Sequence, residues 1–355
     1  MNDWLNIDKQ FPYNPNDVDI RQQQFPVFHL LKMIEHHRIE LWREEYYQRK
    51  GNSWNKAQKS RLIESIIMRI PLPIFYFDGS DEPWKVIDGL NRLNTLYSYI
   101  FEEKWGLEGL EFMTDFTGYK FSDLPYQYQR AIEETVLQAY IINPGTPNRV
   151  KLNIFQRINT GGKSLSNQEV RNAYYSGISR EFISKLASSK AFLDATQGKV
   201  PTSRMRDKEV ILRFVAFYQF LERYGTPMVG FLDFAMEQIE SMDDLDTVEV
   251  QFEKSMKLCS KIFGDMAFFI LDRNENKTGS KINVALFETL SVNFARLSDD
   301  NAKKLLNMKK RVFSHFVMLF NDIDFHKSIS SSTSSKKAVY TRFGEVNNLL
   351  NFLLK

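Results

Sequence analysis

Apolar side chains recur along this chain in two different rhythms. Residues 1–25 are polar and rich in Asn and Gln, and predict an extended arm. Over residues 27–39, Phe28, Leu31 and then Ile34 or Ile39 return at a spacing near 3.6, which predicts a helix. Residues 41–47 read as a short strand, ending in Tyr47-Gln48-Arg49, and 51–54 as a turn. Asn55 has the chemistry of an N-cap for a helix reaching Arg69, with Leu62, Ile63, Ile66 and Ile67 on one face; Pro71 and Pro73 end it. Two strands follow, at 74–77 and 84–87, joined by the turn Asp78-Gly79-Ser80-Asp81. The second strand runs straight into Asp88-Gly89 and a helix to about residue 102. Residues 105–125 carry Gly106, Gly109 and Gly118 and no rhythm. A further strand is expected at 136–142, a break at Pro144-Gly145-Thr146-Pro147, and a helix at 149–158 leading to Thr160-Gly161-Gly162.

From about residue 180 the pattern is almost wholly helical. Amphipathic stretches lie at about 181–188, 208–223, 229–240, 246–271, 282–296, 301–321 and 338–354. This change of style predicts an α+β, predominantly helical protein: a first domain with a small mixed sheet over 1–180, then a helical domain over 181–355. Residues 328–337, serine-rich and ending Lys336-Lys337, read as a flexible loop.

Composition narrows the classes. The 355 residues are 43% hydrophobic and 26% charged, ordinary for a soluble globular protein. The net charge of +3 gives no global attraction to nucleic acid, so any such contact must be local. Lys303, Lys304, Lys309, Lys310 and Arg311 crowd one expected helix, and Lys199, Arg204, Arg206 and Lys208 another region. Either group fits phosphate contacts or a solvated face. The single Cys259 sits in an apolar helical pattern, as a core thiol does, and one cysteine excludes an internal disulfide. The N-terminus lacks an apolar signal core and no run approaches a membrane span, so the expected location is cytoplasmic, with no membrane partner.

Two segments could carry chemistry. In Val86-Ile87-Asp88-Gly89-Leu90-Asn91-Arg92 a strand meets a helix N-terminus, where unpaired amides and partial positive charge can hold a phosphate. Gly89 would let a ligand approach the backbone, and Arg92 could add a charged fork. The same residues admit plain capping, with Asp88 as N-cap and Arg92 paired to it at i,i+4. In residues 155–177, Gly161-Gly162 would end one helix, Ser166 and Glu169 have capping-box spacing for the next, and the loop with Lys163 and Ser164 fits an anion nest. Arg157, Asn159 and Arg171 could face the same ligand, although each of these features also has a capping explanation.

Taken in order, YQR at 47–49 with Trp54, then KSRLIESIIMRIPLPIFYF, WKVIDGLNRLNTL, FQRINTGGKSLSNQEVRNAYYSG and RDKEVILRFVAFY resemble the N-terminal domain of GmrSD-type restriction enzymes, over about residues 25–220. The RINTGG and LIES…IPLP segments are the specific ones. The resemblance implies a ParB/sulfiredoxin-like fold and a domain that binds, and often hydrolyses, nucleoside triphosphates in anti-phage systems that sense modified DNA. The family's Asp-Gly-Gln-Gln-Arg signature reads Asp88-Gly89-Leu90-Asn91-Arg92 here, with Leu90 and Asn91 departing from it, which puts hydrolysis more in doubt than binding. Carried over residue by residue, the amides of Gly89, Gly161 and Gly162 cradle phosphates. Arg92 and Arg49 neutralise them, and Asp88 caps the helix or orients a water. Gln48, Asn91, Asn159, Arg157 and Arg171 complete the binding set, and Asp88 with Arg92 is the pair for any hydrolysis. The implied ligand is a nucleoside triphosphate, with Mg²⁺ left open. DNA and a separately encoded nuclease or methyltransferase are left open as partners.

Full-length enzymes of that type carry a C-terminal HNH nuclease. The histidines here are His29, His36 and His37 in the first expected helix, and His315 and His326 at either end of an apolar helical pattern. None has zinc-ligand spacing, so no metal site and no nuclease are expected. Three readings compete: a nucleotide-binding sensor or regulator of a defence system, a DNA-binding protein without nucleotide, and an interaction scaffold with a decayed site.

Overall fold

A computed structural model of the chain describes residues 15–41, 54–158, 166–175, 177–225 and 227–355. It divides into two compact units, residues 1–164 and 165–355. The change of style near residue 180 falls inside a helix of the second unit, Ile178–Ala187. The architecture is α+β and predominantly helical, with one small mixed sheet.

The first unit holds strands β1 (Ile20–Pro26), β2 (Ile39–Glu40), β3 (Phe75–Asp78), β4 (Trp84–Asp88) and β5 (Val136–Ile142), in the order β1-β5-β3-β4-β2. β5 runs antiparallel to β1 and parallel to β3, and β4 runs antiparallel to β3 and parallel to β2. The helices are α1 (Val27–Glu35), α2 (Lys56–Ile67), α3 (Leu90–Ile100), α4 (Tyr126–Glu134) and α5 (Asn148–Ile158). Strand alternation sends Phe75, Phe77, Leu137, Ala139 and Ile141 to one face. There they meet Leu30 and Leu31 of α1, Ile63 and Ile66 of α2, Leu93, Leu96 and Tyr99 of α3, and Ile132 of α4 in one buried cluster. As the sequence indicates, Asn55 caps α2. Its side chain accepts from Gln58 N at 2.8 Å while the Gln58 side chain accepts from Asn55 N at 3.0 Å, a reciprocal box worth about 1 kcal/mol.

The segment 105–125 contains two single 3₁₀ turns, and a residue from α2 holds one part of it in place. The buried Glu64 carboxylate accepts from the amides of Glu111, Phe112 and Met113 at 2.8–3.1 Å. Burial opposes its ionisation. The three amides and nearby Arg61 outweigh that and hold the carboxyl below the ordinary glutamate value.

The second unit is helical: α6 (Asn167–Tyr174), α7 (Ile178–Ala187), α8 (Lys190–Thr196), α9 (Arg206–Phe220), α10 (Met228–Ile239), α11 (Leu245–Phe263), α12 (Val284–Ala295), α13 (Asp299–Asn307), α14 (Lys309–Phe320), α15 (Ile323–Ser330) and α16 (Lys336–Leu354). α12 is its axis. Every residue from Ala285 to Ala295 is buried, and α9, α11 and α16 pack around it. Its one buried acid, Glu288, is paired by Arg342 of α16 and by Arg213 of α9, the latter at 3.4 Å. Cys259 is fully buried, as expected of a core thiol, and burial pushes it well above the ordinary thiol value.

Several expectations need correcting. Residues 20–25 of the expected extended arm are paired into the sheet, within edge strand β1. Its Gln22, Gln23 and Gln24 are all exposed, so no apolar alternation marks it. Ile39 belongs to β2, because α1 ends at Glu35 and the chain turns at His37, whose φ is +55°. The stretch 301–321 is two helices broken at Met308, and α8 and α15 are additional. Residues 328–337 are not a flexible loop. Ser328 is buried at the end of α15, Ser335 caps α16, and Arg342 gathers the carbonyls of Ser328 and Thr333 at 3.3 and 2.7 Å. The expected strand at 41–47 lies almost wholly outside the described residues.

Candidate functional site

The joint between β4 and α3 is built as the sequence suggests, with one change of role. Asp88 is the last residue of β4, opposite Tyr76 of β3. The N-cap of α3 is Gly89, not Asp88, and no side chain caps the helix. Gly89 has φ +100°, and a Cβ there would come within 2.3 Å of the Phe75 ring, so no other residue fits without displacement. Leu93 N donates to Gly89 O at 2.9 Å, which closes the first turn behind the uncapped end. The amides of Leu90, Asn91 and Arg92 precede that turn and have no intrahelical acceptor. Asn91 is exposed, and among the described residues its carboxamide has no partner. Leu90 packs against the core cluster of the first unit.

Arg92 points inward. Its guanidinium donates to Pro73 O, to Ile74 O at 3.3 Å and to Asp88 Oδ2 at 3.0 Å, and it lies over the Phe75 ring. The side chain is 9% exposed, against 35% for Asp88. Burial pushes the guanidinium below its ordinary value, and the Asp88 carboxylate opposes that shift. The i,i+4 pairing is therefore present, and the guanidinium that was expected to meet a phosphate is engaged within the fold. It fixes Asp88 and ties the lead-in of β3 to the first turn of α3.

Gln48 and Arg49, and Asn159, Gly161 and Gly162, lie outside the described residues. Arg157 is exposed in the last turn of α5. Arg171 belongs to the second unit, where it is 1% exposed. It bonds Asp233 Oδ1 at 2.6 Å, Gln168 Oε1 at 3.2 Å and Val229 O at 3.0 Å. Ser166 and Glu169 form the expected capping box at the start of α6.

Residues 29–176, from α1 into the second unit, match the family model described as the GmrSD restriction endonuclease, N-terminal domain. This stretch is a GmrSD N-terminal domain. No curated protein and no solved structure matches the chain. The family ties the chain to restriction and defence systems. Among the described residues no helix is long and apolar enough to cross a membrane, and no three His, Cys, Asp or Glu are grouped to hold a metal ion.

The GmrSD N-terminal domain also holds groups that sequence reasoning passed over. On the sheet face opposite the core cluster, register places Gln22, Tyr140 and Tyr76 side by side on β1, β5 and β3, and Tyr76 pairs across a bulge with Asp88 of β4. The two tyrosine rings are stacked with centroids 5.4 Å apart. Near the end of the same face Lys151 of α5 pairs with Asp78 of β3 at 3.3 Å, both nearly fully buried. Alternation with Phe75 and Phe77 would have placed Tyr76 and Asp78 on one face. Strand order, which sequence does not give, brings Tyr140 beside Tyr76.

Proposed function

We propose that this GmrSD-type domain binds a nucleoside triphosphate at the Asp88–Asn91 joint and serves as a regulatory or sensor component of a restriction or anti-phage system. The observation that carries the reading is the uncapped N-terminus of α3 behind a left-handed Gly89. Its free amides and the positive end of the helix dipole suit an anionic ligand. Exposed Asn91 offers a carboxamide beside them, and half-exposed Asp88 keeps one carboxylate oxygen beyond the one bonded to Arg92. A Mg²⁺ ion on the triphosphate takes most of its ligands from phosphate and water and needs only one or two protein carboxylates, so Asp88 is sufficient to hold it. Arg92 acts as a positioning residue: it holds Asp88 and shapes the turn.

The test is a thermal-shift screen of nucleoside triphosphates with and without Mg²⁺. A ligand at 100-fold over its dissociation constant adds about 2.7 kcal/mol of stability. A rise in melting temperature with at least one triphosphate supports the reading, and no rise with any of them removes it.

A second reading, contact with DNA, has its own observation. Lys303, Lys304, Lys309, Lys310 and Arg311 are all exposed, on either side of the break at Met308. Such a cluster suits backbone phosphates. An electrophoretic shift that falls steeply with salt and is lost when these five are neutralised would favour it.

A further inference from the structure

The second unit carries a groove with room of about 460 Å³ between α16 on one side and, on the other, the ends of α9 and α12 and the start of α13. Tyr340, Gly344, Asn347, Asn351 and Leu354 of α16 line it. They recur at alternate steps of four and three residues, so they form one stripe along the helix. From Tyr340 to Leu354 the stripe runs about 21 Å, at a rise of 1.5 Å per residue. The opposite wall offers Asn293 of α12 and Asn301 of α13. Asn293 is buried and donates Nδ2 to Thr289 O at 2.9 Å, which leaves its oxygen as an acceptor. Among the described residues the carboxamides of Asn301, Asn347 and Asn351 have no hydrogen-bond partner. Leu221, Phe343 and Leu350, all buried, give the groove an apolar floor. Among the described residues its charged groups are Glu222 and Arg296, which cancel. The Arg296 guanidinium already donates to the carbonyls of Phe217 and Tyr218 at 3.2 and 3.1 Å.

We propose that this groove takes an extended, uncharged peptide segment of a partner protein and holds it by its main chain. A carboxamide carries a donor and an acceptor side by side, so it can pair with the N–H and C=O of a peptide chain together. Asn347 and Asn351 stand about 6 Å apart along the axis of α16, and an extended chain presents the same edge again every ~6.6 Å. Alternate side chains of such a segment would meet the apolar floor. A lining without net charge offers little to a phosphate backbone, so a nucleic acid strand suits it less. The sequence of α16 points the same way. Glycine and asparagine are poor helix formers, yet Gly344, Asn347 and Asn351 sit inside this helix on the stripe that lines the groove. A Cβ on Gly344 would meet open space, so the glycine does not relieve crowding in the fold. It leaves room for the main chain of a ligand. The proposal is independent of the nucleotide site.

The experiment pans the full chain against a displayed library of random peptides about seven residues long. The strongest binder is made as a free peptide, and its affinity is measured for wild type, Asn347→Ala, Asn351→Ala and Gly344→Leu. Each substitution puts a better helix former at an exposed position, so the variants should melt no lower than wild type. Each should bind the peptide about tenfold more weakly, through a lost hydrogen-bonded carboxamide or through a filled groove. On wild type, N-methylation of the peptide nitrogens that meet the asparagines should weaken binding to a similar degree, while methylation of the intervening nitrogens is tolerated. No enriched peptide, equal affinity in wild type and variants, or tolerance of N-methylation at every position overturns the proposal. So does a single-stranded oligonucleotide that binds wild type and is lost in Gly344→Leu while no peptide binds. Should a variant fail to fold, the N-methyl series on wild type decides alone.

Discussion

Arg92 lies over the ring of Phe75, with the guanidinium carbon 4.2 Å from the ring centroid. The same group donates to Pro73 O, Ile74 O and Asp88. A residue whose type and spacing suggest phosphate binding is thus a clamp between the start of β3 and the start of α3. Cation–π contact and a planar fork explain why arginine, and not lysine, suits the position.

Arg92→Ala should therefore act on the fold before it acts on any ligand. It leaves two carbonyls and a partly buried carboxylate without their donor, at a cost of roughly 1.5–3 kcal/mol. Arg92→Lys should recover only part of that, since an ammonium cannot reach all three acceptors from one position. Urea unfolding of the three proteins decides the point. An Arg92→Ala midpoint equal to wild type would show that the clamp contributes nothing.

Leu90 stands where the resemblance has a glutamine. Its side chain packs against the core cluster of the first unit and not beside Asn91 in solvent. Leu90→Gln should then fail to raise phosphate release and should cost about 1 kcal/mol of stability, the loss of a partly buried apolar side chain. A clear rise in turnover would place this position in the site.

Glu64 gives the first unit an acid sensitivity of known sign. Its folded value is depressed, so its contribution is complete above the unfolded glutamate value of about 4.3 and is lost as pH falls through the lower folded value. Glu64→Gln should be less stable at neutral pH by roughly 1.5–3 kcal/mol and should lose less stability between pH 5 and pH 3. Urea midpoints measured across that window test this. Parallel pH profiles for the two proteins would contradict it.

Much of this architecture is legible in the sequence, because local rules act there. The cap at Asn55, the strands around residues 75–78 and 84–88, strand β5 and the helical run after it all follow from period and capping chemistry. β1 does not, because Gln22, Gln23 and Gln24 face solvent or the sheet edge and leave no alternation to read. The helices Lys190–Thr196 and Ile323–Ser330 are too short for a period to stand out. For the site, sequence finds the joint at Asp88-Gly89 but not the direction of Arg92, which the carbonyls of Pro73 and Ile74 set. It finds Tyr76 and Tyr140 as strand residues but not as neighbours, since the parallel pairing of β3 with β5 is a tertiary fact.

The central claim is that the free amides at the start of α3 hold the phosphates of a nucleotide, and Asn91→Asp tests it most directly. The substitution is nearly isosteric and exposed, and a negative charge in the first turn of a helix is favourable, so the protein should melt no lower than wild type. The same charge faces the phosphates and should repel them. Equilibrium titration with a Mg²⁺–triphosphate is expected to show binding to wild type and an affinity at least about tenfold weaker for the variant, a difference of about 1.4 kcal/mol. Equal affinity in the two proteins, or no binding to wild type, would contradict the account.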